Sequence, residues 1–197
     1  MISAEALWLD TLQRICGRAA HEVKGALNGV SVNLEVVRAR SEKADALASA
    51  VNRYAETASD QLGAVITMTD ALLSLARPAR EPVELGPLLR RILVLLEPAA
   101  RADSRRLECK ELDDDMGVTT ADGNATRIAL GGAMLDALDA STHVICRADG
   151  ASGAPVVRLE SCDGSTLAVR EEIVTAAAAA GIRLHAGASG ISITFPR

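Results

Sequence analysis

A pair of long apolar stripes at helical spacing constrains this chain most. Placed on a helix at about 100° per residue, Ile15, Ala19, Val23, Ala26, Val30, Leu34 and Val37 fall on one line, which Trp8 and Leu12 extend toward the N-terminus. Leu47, Val51, Tyr54, Ala58, Leu62, Val65, Thr69, Leu72 and Ala76 form a second line. Steps of three and four sustained over such lengths are the pattern of bundle helices. The spacing predicts helices from about Ala4 to Arg38 and from about Glu42 to Arg77. The polar segment Ala39–Lys43 reads as the turn between them, with Ser41 as N-cap of the second helix. Pro78 ends that helix. Two long helices joined by a short turn form an antiparallel hairpin. One hairpin cannot cover its own stripes, whereas two copies can, as a four-helix bundle. The expected state is therefore a homodimer through these helices.

The segment Arg77–Pro87 is rich in proline and charge and reads as a linker. It divides a hairpin domain, residues 1–79, from an α/β domain, residues 80–197. In the second part, helices are expected at Leu85–Ala102, Asn124–Ala140 and Ala168–Ala180. Strands are expected at Arg106–Leu112, Gly117–Ala121, Thr142–Arg147, Val156–Cys162, Ile182–His185 and Ile191–Phe195. Asp113–Asp115 and Asp149–Pro155 read as turns. The fold class is α+β: a long helical hairpin followed by a small mixed-sheet layer.

Composition narrows what such a chain can bind. Hydrophobic residues make up 49% of the chain and aromatics only 2%, namely Trp8, Tyr54 and Phe195. The core must therefore be built from Ala, Leu, Val and Ile, which favours close helix packing over an aromatic-lined ligand pocket. The net charge of −5, with no long basic run, disfavours nucleic acid as a partner. Cys16, Cys109, Cys146 and Cys162 are scattered without CxxC spacing and read as reduced thiols of a cytosolic protein. No signal peptide is visible. The most apolar run, Leu88–Leu96, contains Arg90 and Arg91 and is too short to span a bilayer. The expectation is a soluble cytoplasmic protein with no membrane partner.

The chemistry lies on the first helix, opposite its apolar stripe. His21 falls there, with Gly17, Lys24 and Asn28 near it and Arg14, Arg18 and Gly25 flanking. Such a histidine is either ordinary surface or a nucleophile that a docking partner reaches. Metalloprotease chemistry of the HExxH type is excluded, because Gly25 stands where the second histidine would be. Glu22 and Lys24 are either solvated helix charges or groups that orient the imidazole and neutralise a phosphate. His143 and His185 read as structural.

The run HEVKGALN, His21 to Asn28, resembles the phosphoacceptor helix of sensor histidine kinases, whose motif has the form H-E-x-R/K-x-P-L-x. His21, Glu22, Lys24 and Leu27 match, whereas Ala26 stands at the proline. Gly25 stands at a threonine or asparagine that in the family positions water for phosphatase activity, so that activity is not carried over. HEVKGA also resembles the H-x-L-K-G-S/A motif of histidine phosphotransfer domains. There the lysine steadies the phosphoryl group and the glycine lets a receiver domain approach. Lys24 and Gly25 sit at those spacings, and Gly17 lies one turn earlier.

The second half resembles a degraded form of the kinases' ATP-binding domain. Asp122–Ser141 is similar to the asparagine-box helix and its approach, with Gly132 and Asp136 where the family has its two asparagines, one a magnesium ligand. Only Asp163 remains of the D-x-G-x-G motif, and it reads as a relic or a strand-end turn residue. Too few residues separate Asp163 from the helix at Ala168 for a nucleotide lid, and no glycine-rich phosphate cradle is present.

The resemblance implies a dimeric histidine phosphotransferase of a phosphorelay. His21 would be the phosphoacceptor, assisted by Glu22 and Lys24. Response-regulator receiver domains would dock on Arg14, Gly17, Arg18, Gly25 and Asn28. The chain would bind no cofactor or metal of its own, the magnesium belonging to the receiver. Two alternatives remain open from sequence: a divergent ATP-dependent sensor kinase, and a non-catalytic dimeric adaptor for response regulators.

Overall fold

A computed structural model of the chain describes residues 3–43, 48–78, 82–112, 116–150, 153–187 and 190–197. Helix α1 spans Ala4–Ser41 and α2 spans Ala48–Ala76. Ser3 caps α1, its hydroxyl accepting from the Ala6 N–H at 3.2 Å. Ser41 does not cap the second helix. It is the last residue of the first, and its hydroxyl donates to the Val37 carbonyl at 2.8 Å. A hydroxyl inside a helix can satisfy the carbonyl four residues back, so the polar segment continues the helix through Ser41.

Beyond the hairpin, β1 (Val83–Glu84) leads directly into α3 (Leu85–Ala102), followed by β2 (Arg106–Leu112) and β3 (Val118–Thr119). Next come α4 (Gly123–Arg127) and α5 (Ala133–Ala140), joined by a π-helical stretch at Ile128–Gly132. The chain closes with β4 (His143–Asp149), β5 (Val156–Ser161), α6 (Glu171–Ala179), β6 (Arg183–Gly187) and β7 (Gly190–Thr194). The expected Asp113–Asp115 turn and Leu47 lie outside the described residues. Helix α6 begins three residues later than its composition predicts, because residues 168–170 are taken by a non-helical approach to the Arg170 cap position.

The single helix expected at Asn124–Ala140 is instead interrupted. Glycines at 131 and 132 let two elements press on it from outside. A Cβ at Gly131 would lie 3.2 Å from Ile15 and 3.3 Å from Thr11 of α1, and one at Gly132 would lie 2.6 Å from Ile173 of α6. The π-helical turn coincides with this double contact.

Five strands form a sheet in the order β2-β4-β5-β7-β6, and β1 pairs with β3 in a separate ribbon. Strands β2 and β4 are parallel; the other pairings are antiparallel. Register aligns Cys146 with Leu159 and Leu159 with Ile191, and Ala148 with Val157 and Val157 with Ile193. These residues are all buried on one face, as period-two alternation requires. None of the four cysteines forms a disulfide.

The core is continuous from hairpin to sheet. One cluster of buried side chains joins Ile15 and Ala19 of α1, Met68, Ala71 and Leu75 of α2, the apolar side of α3, and the inner face of the sheet. Both stripes are wider than the surface they cover within one chain. On α2, Ala58, Met68, Ala71 and Leu75 turn inward, while Leu62 is 45% exposed, and Ile66 and Leu73 are each 54% exposed. Leu27 and Leu34 of α1 are similarly exposed. Among the described residues, no helix is long and apolar enough to cross a membrane.

Candidate functional site

The middle of α1 carries the candidate site. Burial at Ile15 and Ala19 fixes the helix's rotation, and His21, Lys24, Gly25 and Asn28 consequently face solvent. Among the described residues, the His21 imidazole has no hydrogen-bond partner, so nothing ties it to Glu22. Gly17 and Gly25 lie one turn either side of His21, and a Cβ at either would meet nothing within 4 Å. Gly29 differs: a Cβ there would clash with the Gln61 side chain, where α1 and α2 approach closely. That crossing is polar, with the Asn33 amide donating to the Gly29 carbonyl at 2.9 Å and to Gln61 Oε1 at 3.1 Å.

Glu22 and Gly25 both line a cleft of about 570 Å³ between the hairpin and α3, together with Ala26, Met68, Val94, Glu97 and Arg101. Burial raises the Glu97 carboxyl above its ordinary value, with Arg101 opposing.

Arg14 and Arg18, expected on the docking face, form ion pairs within the chain. Arg14 donates to Asp136 at 3.0 Å and to Asp139 at 2.7 Å, and Arg18 donates to Asp139. Arg170 adds a backbone bond at 3.1 Å and a guanidinium bond at 3.2 Å to Asp136, and reaches Asp10 at 3.1 Å. Asp136 is 9% exposed, and two guanidiniums and an N–H surround its carboxyl group. The physical reason for these pairs is charge matching. Arg14 and Arg18 repeat at i, i+4 and Asp136 and Asp139 at i, i+3, so each pair shares one face of its helix. Asp136 is singled out from sequence only for its place in the asparagine-box resemblance, and Asp10, Asp139 and Arg170 are not singled out at all; the matched spacing of Arg14/Arg18 and Asp136/Asp139 is the signal for the two aspartates, and no local signal marks Asp10 or Arg170.

Gly132 and Asp136 thus both have packing roles. Ile173 occupies the space into which a side chain at 132 would project, and Asp136 receives arginines. Asp163 ties strand ends together. Its carboxylate accepts from Ser141 at 2.9 Å, from the Thr142 N–H at 2.6 Å and hydroxyl at 2.7 Å, from Ser161 at 2.6 Å and from the Ser165 N–H at 3.0 Å. The Ser161 hydroxyl first, then Thr142 and Ser165, hold this carboxyl far below the usual range. His143 lies 3.6 Å from Glu108 on the neighbouring strand, and His185 pairs with Ser192 across β6 and β7. Among the described residues, no group of three or more His, Cys, Asp or Glu side chains is placed to hold a metal ion.

No family model matches the sequence, and a comparison with curated proteins finds no match. Solved structures give similarities at low identity. The histidine kinase AdeS of Acinetobacter baumannii is 14% identical with a TM-score of 0.42, over 89% of this chain and 97% of that one. Full-length ShkA, in complex with AMPPNP, is 18% identical with a TM-score of 0.42, over 92% of this chain and 44% of that one. The histidine kinase ThkA, in complex with the response regulator TrrA, is 14% identical with a TM-score of 0.44, over 95% of this chain and 61% of that one.

Proposed function

We propose that this chain is a dimeric histidine phosphotransferase of a two-component phosphorelay, passing a phosphoryl group between receiver-domain aspartates through His21. One observation carries the reading: His21 is exposed between two helix glycines at which an added Cβ would meet nothing within 4 Å. Each glycine costs about 1 kcal/mol of helix propensity relative to alanine, and no contact within the chain offsets it. The clearance they leave extends about 12 Å along the helix axis, at 1.5 Å per residue from Gly17 to Gly25. A receiver needs that clearance to bring its phosphoaspartate in line with an imidazole nitrogen.

The neutral imidazole attacks phosphorus as nucleophile and the aspartyl oxygen departs. Catalysis is positioning and charge neutralisation, for which exposed Lys24 supplies a point charge on the same face. The receiver supplies magnesium. Homodimerisation covers the exposed leucines and isoleucine of α1 and α2.

The α/β layer acts as scaffold and binds no ATP. In support, Ile173 packs on Gly132 and arginines surround Asp136, so both positions resembling the asparagine box serve the fold. Transfer of labelled phosphate from a phosphorylated receiver tests the proposal. Wild type accepts the label and His21→Ala does not, with equal melting temperatures. Label acquired directly from ATP, or retained by His21→Ala, overturns it.

A further inference from the structure

A second polar site lies at the junction of α2, β1, α3 and α4, sharing no residue with the His21 face. It is a pocket of about 440 Å³ lined by Ser74 and Arg77 at the end of the hairpin, Glu84, Arg91 of α3 and Arg127 of α4. Arg127 is only 8% exposed. A guanidinium buried to that degree ordinarily faces a carboxylate. Here, among the described residues, its one hydrogen-bond acceptor is the Arg77 carbonyl at 2.8 Å. Its guanidinium carbon lies over the Trp8 ring, 5.5 Å from the ring centroid. One of five N–H donors is thereby used.

The charge around it is unbalanced. Glu84 is the single acid among the described lining residues, against Arg77, Arg91 and Arg127. Burial, and then the like charge of Arg91, push the Arg127 guanidinium below its ordinary pKa. Arg91 and the buried Arg127 repel one another, and an anion between them would offset both the repulsion and the cost of burial. The planar forks of arginine match phosphate oxygens two at a time. The volume falls within the range of small-molecule sites.

We propose that this pocket binds a small phosphate-bearing molecule, whose oxyanion bridges Arg77, Arg91 and Arg127 and ties the end of the hairpin to the α/β layer. The ligand is a phosphate dianion, free or as a monoester.

Titration calorimetry and thermal melts of the full chain test this, with inorganic phosphate and glycerol 3-phosphate as probes and sodium chloride at matched ionic strength as control. Saturable binding of a phosphate probe is expected, with a rise in melting temperature that chloride does not reproduce. Tighter binding of glycerol 3-phosphate identifies an ester; equal or weaker binding identifies free phosphate. Arg77→Gln and Arg91→Gln change exposed side chains, and each weakens binding by about tenfold, the loss of one charge-assisted contact. Without ligand, Arg91→Gln melts at or above the wild-type temperature, because it removes the like charge beside Arg127. Chloride matching phosphate, or variants binding phosphate with wild-type affinity, overturns the proposal.

Discussion

Replacing Gly25 separates a docking role from a folding role. The position is helical and exposed, and a Cβ there meets nothing within 4 Å. Gly25→Ala therefore gains the full propensity difference, about 1 kcal/mol, with no steric charge against it. For a chain of this size that raises the melting temperature by about 2–4 °C. Gly25→Gln gains about half as much, since glutamine is a somewhat weaker helix former than alanine. Its side chain, however, enters the space one turn above His21 on the same face. Phosphotransfer to Gly25→Gln should fall at least about tenfold, equivalent to about 1.4 kcal/mol of lost transition-state contact. Gly25→Ala, adding a single methyl, should retain most transfer. The assay pairs a thermal melt with the initial rate of labelled phosphate transfer from one receiver. A melting temperature below wild type would refute the open-space geometry. Raised stability with an unchanged transfer rate in Gly25→Gln would refute the docking face.

Further outcomes follow from other contacts. Asp136→Ala leaves Arg14 and the Arg170 N–H without their buried acceptor and should cost about 2–3 kcal/mol in urea unfolding, whereas Asp139→Ala, at a half-exposed carboxylate, should cost about 1 kcal/mol or less. Asp163 has a depressed pKa, so its stabilisation is complete above the ordinary carboxylate value near about 4 and is lost as pH falls below it. Melting temperature against pH should therefore drop less steeply on the acid side for Asp163→Asn than for wild type, and parallel curves would contradict the network. Leu62→Glu with Ile66→Glu places charges on side chains exposed in one chain; light scattering should give folded monomers, and an intact dimer would move the proposed interface elsewhere.

Periodicity made the helical parts legible. Leu85–Ala102 follows from the Leu and Ile positions of α3, whose buried side contrasts with Arg91 on the outside. Alternation located β2, and the Gly-containing turns located the last hairpin. The rotation of α1 was legible too, because Ile15 and Ala19 had to be buried, and this sets His21 in solvent. Local pattern could not reveal pairings between distant segments. The Arg14–Asp136 bond joins residues 122 positions apart, and its cost and gain depend on two helices meeting. The interruption at Ile128–Gly132 is likewise a tertiary effect: Ile15, Thr11 and Ile173 press on glycines that propensity alone marks only as weak helix formers. Arg127 escaped notice for the same reason, since nothing in its neighbours along the chain signals a buried cation.

Locating the phosphate chemically gives the most direct test of the central claim. The chain is incubated with a phosphorylated receiver and magnesium, digested at neutral to alkaline pH where a phosphoramidate survives, and its peptides are sequenced by mass spectrometry. The account predicts a single acid-labile phosphate on His21, formed without ATP and discharged on addition of a second receiver. Phosphate on any other residue, or none on His21 while the receiver loses its own, would contradict it.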